Sequence, residues 1–93
     1  MKRGQNIVDW LSGEITMRTD TPSHLPLVEI CGDKRVLIEH HRGILQYGQE
    51  KICVQVAFGQ IAICGTHLKM VKMTNSQLVI FGCIEDIKLI RRG

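Results

Sequence analysis

The chain has 93 residues, 44% hydrophobic and 23% charged, and its twelve basic and nine acidic residues leave a net charge of +3. That length makes one domain, which hides roughly two-thirds of the surface its unfolded chain exposes, and the composition is that of a globular rather than a disordered chain. The basic residues are interspersed and the aromatics are only Trp10, Tyr47, Phe58 and Phe81, unlike the concentrated basic face with interleaved aromatics of a nucleic-acid binder.

No apolar run approaches the roughly 18 residues that span a bilayer, and the amino terminus lacks a signal-peptide core, so the expected location is cytoplasmic. Cys31, Cys53, Cys64 and Cys83 form no Cys-x-x-Cys pair. They read as reduced, buried thiols acting as small hydrophobes.

In chain order, residues 1–13 read as an amphipathic helix, with Ile7, Val8 and Leu11 on one face, Trp10 at its margin and Ser12-Gly13 as its end. Such a helix packs on its own domain or on a partner. Lys2, Arg3 and Trp10 also suit a peripheral contact with a membrane surface, which one helix of about ten residues holds only weakly. Residues 14–26 form a connector in which Pro22 and Pro26 keep the residues before them extended.

Residues 27–93 read as a β domain. Alternating apolar runs are predicted as strands at Leu27–Cys31, Arg35–His40, Ile44–Tyr47, Lys51–Ala57, Gln60–Cys64, His67–Met73, Gln77–Phe81 and Ile84–Ile90. Turns fall at Gly32-Asp33-Lys34, Gly48-Gln49-Glu50 and Thr74-Asn75-Ser76. Links this short exclude crossover helices, so successive strands are expected to be antiparallel neighbours. The predicted fold is all-β, an antiparallel meander forming a small β-sandwich, with a small barrel or a β-solenoid as alternatives.

The solenoid is suggested by an internal echo. Gln60-Ile61-Ala62-Ile63-Cys64-Gly65 matches Gln77-Leu78-Val79-Ile80-Phe81-Gly82 at an offset of 17 residues, with Leu27 to Gly32 as a looser third copy. Strand followed by turn explains the pattern more simply than a true repeat, because three loose copies do not establish a period.

Glu39-His40-His41-Arg42-Gly43 is the densest polar cluster. Successive side chains of a strand point to opposite faces, so His40 and His41 serve one site only if the chain bends between them. The simplest reading is a charged strand end that fixes a corner. The functional reading is a surface for a protein partner, shared with Trp10, and a small-molecule or enzymatic role for Glu39, His40, His41 and Arg42 is the alternative. His24 and His67 lack the spacing of a zinc site, and no nucleophile elbow, phosphate loop or paired carboxylates occur. The expectation is a protein without catalytic residues, cofactor or metal.

Through Asp9-Trp10-Leu11, Leu25-Pro26, the Ile38-Glu39-His40-His41-Arg42-Gly43-Ile44-Leu45 segment and the runs ending at Gly65 and Gly82, the chain resembles the YabP/YqfC family of sporulation proteins, in its YqfC branch. The Ile-Glu-x-His-Arg-Gly segment is the most specific part. Chains of that branch often carry Asn where this one has His40, and Leu-Pro where this one has Ser12-Gly13-Glu14. The resemblance implies a non-enzymatic protein of endospore-forming bacteria, acting during spore development in the mother-cell cytoplasm or peripherally at the forespore membrane. It implies no reaction, cofactor or ligand. The expected partners are another protein, a membrane-bound one included, or further copies of the chain.

Overall fold

The computed structural model describes residues 24–92, so the expected helix at 1–13, Trp10 within it and most of the connector lie outside the described residues. All regular structure among the described residues is strand: β1 (Leu27–Cys31), β2 (Arg35–Glu39), β3 (Ile44–Tyr47), β4 (Lys51–Val56), β5 (Gly59–Met73) and β6 (Gln77–Arg91). They form one open, six-stranded antiparallel sheet in the order β1-β2-β6-β5-β4-β3. The all-β antiparallel expectation holds, and β1 to β4 coincide with their apolar runs to within a residue.

The last four runs make only two strands. Gly65 and Gly82 bend β5 and β6 without releasing them from their common ladder, which continues from Gly59 opposite Arg91 to Met73 opposite Leu78 with register shifts around Gly65 and beyond. Bulges of this kind turn a strand sharply while keeping its partner. At Gly65 a side chain would collide with the carbonyl of Cys83, and at Gly82, where φ is +151°, it would stand 2.7 Å from the carbonyl of His67. Only glycine lets the two strands cross this closely.

The bends divide the sheet into two halves. One holds β1, β2, the start of β6 and the end of β5; the other holds β3, β4, the start of β5 and the end of β6. Val36, Ile38, Leu78 and Ile80 of the first half and Ile52, Val54, Val56, Ile61 and Ile63 of the second are all 0% exposed and belong to one cluster. A sheet face is shut off from water to that degree only when a second layer covers it. Each half therefore lies over the other, and the sheet makes its own sandwich. Every such side chain stabilises the fold by about 1.5–3 kcal/mol relative to exposure. Across the layers, the Tyr47 hydroxyl accepts the N–H of Met70 at 3.2 Å, joining β3 to the far part of β5.

The same folding corrects the simple meander. β2 and β3 are consecutive in sequence but lie in different halves, with β6 taking the place beside β2. Four residues suffice for the crossing because it only has to pass from one layer to the other at a corner of the sandwich.

The 17-residue echo has a structural cause. Gln60–Cys64 and Gln77–Phe81 are the opening parts of β5 and β6, each flanked by a hairpin strand and each reaching a hairpin turn at its glycine. Gly65 and Leu68 donate to the carbonyls of Glu50 and Gln49, while Gly82 and Ile84 donate to those of Lys34 and Asp33. Two like environments select two like sequences without a solenoid.

All four cysteines are free thiols, but burial holds fully for Cys53 alone. Cys64 is half-buried, and Cys31 and Cys83 are exposed. Cys31 lies opposite Arg35, on the outer face of edge strand β1; Cys83 lies at the bend of β6, where the lysine ammonium of Lys34 is 3.8 Å from its sulfur.

Candidate functional site

The polar cluster is the crossing itself. The chain turns at His40, which has a left-handed φ of 66°, and again at Gly43. The bend thus begins before Arg42-Gly43, where the sequence places it, and it is what sends the two histidines to different surroundings. A left-handed backbone is uncommon for a residue other than glycine, though histidine tolerates it better than most.

His40 is exposed; its N–H donates to the carbonyl of Ser76 at 2.7 Å and its ring Nδ1 to that of Leu25 at 3.0 Å. His41 is 8% exposed. Its Nε2 donates to the carbonyl of Thr74 at 2.9 Å, and its Nδ1 accepts the N–H of Gly43 at 3.0 Å. Because a carbonyl can only accept and an amide N–H only donate, these partners place the ring proton on Nε2. The crossing is sealed to β4 by Arg42 donating to the carbonyl of Gln55 and by Gln55 donating to that of Gly43, at 2.7 and 2.8 Å.

Glu39 is half-buried and accepts from the Gln77 side chain at 3.2 Å, and Arg42 is exposed. The segment forms a corner, and His41 is its fastener. The cluster divides accordingly: His41 faces inward, and Glu39, His40 and Arg42 remain along the surface.

Two shallow depressions lie elsewhere, one lined by Gln46, Gly48, Gln49, Glu50 and Lys51 and the other by Tyr47, Gln49, His67, Leu68 and Lys69. Neither contains a member of the Glu39–Arg42 cluster. No three His, Cys, Asp or Glu side chains among the described residues converge as a metal set. No helix among them is long and apolar enough to cross a membrane.

The surface carries more apolar material than the sequence reading singled out. Leu27, Ile30, Leu45, Tyr47, Val71, Met73, Phe81, Leu89 and Ile90 are 40–61% exposed. Several belong to core-facing rows that run out at an edge. Ile30 continues the row of Val36 and Ile80 onto β1, and Leu89 continues that of Val54 and Ile61 onto the end of β6. Alternation in the sequence marks such residues as core; only strand order reveals that nothing among the described residues lies beyond them.

The YabP family model matches residues 23–93. The chain is also 21% identical over 89 residues to the uncharacterized protein YqfC of Bacillus subtilis (strain 168), with 96% of each chain covered. No solved structure matches it. The match takes in the whole β domain, with the His41 corner and both glycine bends, and the chain belongs to the YabP family.

Proposed function

We propose that the chain is a sporulation-associated protein that works in the mother cell by protein contact, through its strand edges and the Glu39, His40 and Arg42 surface, rather than by catalysis. The sporulation part rests on family membership and on the resemblance carried by Ile38 to Leu45. The contact part rests on one observation: among the described residues, large apolar side chains stand half-exposed, most of them along strand edges. Large apolar side chains left exposed are a common mark of a surface that another molecule covers, and a strand edge offers unpaired backbone groups to receive it. Trp10 belongs to the same proposal as an anchor for a protein partner, a membrane-bound one at the forespore included.

The test is a chromosomal replacement in an endospore-forming host. Spore heat resistance is counted for Glu39→Arg with Arg42→Glu, and separately for Trp10→Ala, with thermal melting of each purified variant as the control for folding. Loss of resistant spores at an unchanged melting temperature is the expected result. Normal spore counts from variants stably present in the cell would refute the contact surface.

A further inference from the structure

The strand edges left without a partner among the described residues differ in what they can pair with, and the difference selects one. The edge of β1 carries a single charge, Glu29, at its centre, so pairing with a copy about that residue sets two carboxylates face to face. β3 is four residues long and broken by a register shift at Leu45. The end of β5 bears Lys69 and Lys72 with no acid between them. The end of β6 reads Asp86-Ile87-Lys88-Leu89-Ile90-Arg91, acidic at one end and basic at the other, and among the described residues it pairs only with β5.

We infer that Glu85–Leu89 pairs antiparallel with the same segment of a second copy, about a two-fold axis at Ile87, joining two sandwiches through one continuous sheet. This rests on the contact reading above and names its partner. On the outer face that register sets Asp86 opposite Lys88 of the second copy, twice. Asp86 and Lys88 already lie 3.7 Å apart within one chain, so the four side chains form a ring of alternating charge. The two Ile87 side chains meet on the core-facing side, and Leu89 of each copy lies opposite Glu85 and diagonal to Ile87 of the other, against the stem of the one and the side chain of the other. Leu89, 61% exposed although it shares a row with the fully buried Val54 and Ile61, gains the cover it lacks. Two-fold association of this isologous kind is the commonest form among soluble assemblies.

Sedimentation equilibrium on the full chain tests the pairing. Asp86→Lys alone and Lys88→Asp alone are each expected to weaken self-association about tenfold, since like charges then face each other at two symmetric places. An equimolar mixture of the two variants restores association, because a chain basic at both positions then meets a chain acidic at both. The double variant restores it as well, since exchanging the two charges within one chain keeps unlike charges opposite each other. Both positions are exposed, and thermal melting verifies that the fold is kept. Association unaffected by either reversal, or not restored in the mixture, overturns this edge. A wild-type chain that stays monomeric up to about 1 mM, where any contact of useful strength is populated, overturns the pairing altogether. In that case loss of spores in the Glu39 and Arg42 variants would still uphold contact with a different protein.

Discussion

The imidazole of His41 donates to the carbonyl of Thr74, 2.9 Å away, and so fastens the crossing between the two layers to the turn that joins β5 and β6. The same ring accepts from Gly43, so two backbone groups well separated in the chain depend on one side chain. His41→Ala removes a side chain that is itself 8% exposed and leaves both groups without that partner. Thr74 is exposed and Gly43 half-buried, so water replaces part of each bond, and a loss of about 1–2 kcal/mol is expected in urea unfolding. His41→Asn, whose amide oxygen reaches the position of Nδ1, retains the Gly43 bond and loses about half as much. An alanine variant as stable as wild type would mean that the backbone bonds of Arg42 and Gln55 hold the corner unaided.

The glycine bends give a second prediction. Gly65→Ala pushes a methyl group into the carbonyl of Cys83, and Gly82→Ala adds an unfavourable φ of +151° to its contacts with His67 and Leu68. Backbone atoms of a central strand cannot move aside cheaply, so each substitution is expected to cost about 3 kcal/mol or more. Gly48 is the control. It has an ordinary φ and a nearest neighbour at 3.5 Å, the carbonyl of Lys51, and Gly48→Ala should alter stability by no more than about 0.5 kcal/mol. Equal effects at the three positions would remove the bends as the reason for the glycines.

Those glycines also show how far the sequence can be read. Alternation located nearly every strand residue, because burial of one face is a local constraint that each segment must satisfy by itself. A glycine after an apolar run, however, can end a strand or bend it, and the choice depends on what stands alongside. At Gly65 it is Cys83 of the neighbouring strand, which no local pattern names. For the same reason β2 to β3 read as a hairpin; the insertion of β6 beside β2 is a long-range event. In the polar cluster, the corner was legible from Arg42-Gly43 and the opposition of His40 to His41. That His41 turns inward was not, since its partner Thr74 is remote in the chain.

Thiol labelling distinguishes the four cysteines. In the native protein Cys31 and Cys83 are exposed, Cys64 is half-buried and Cys53 is buried. An alkylating reagent followed by peptide mass spectrometry should therefore modify Cys31 and Cys83 first, Cys64 more slowly and Cys53 only when the fold opens. Rapid labelling of Cys53 would contradict its cover on the outer face of β4, between Gln46 and Ala62 of the flanking strands.

Cys53 further reports whether the two halves unfold as one. It lies on β4, whereas Ile80 lies on the opening part of β6 in the opposite layer, and Ile80 shares its cluster with Ile52 and Val54, the residues on either side of Cys53. Ile80→Ala opens a cavity that costs about 2–5 kcal/mol. If the layers form one cooperative body, that loss appears in full as easier labelling of Cys53, and the urea midpoint for its modification falls together with the midpoint for loss of β-sheet circular dichroism. If each half stood by itself, Cys53 would keep its wild-type midpoint while the sheet signal split into two transitions. The complete burial of side chains from both halves in a single cluster favours coincident midpoints, because a cavity at Ile80 withdraws contacts from the very surface that shuts β4 away from water.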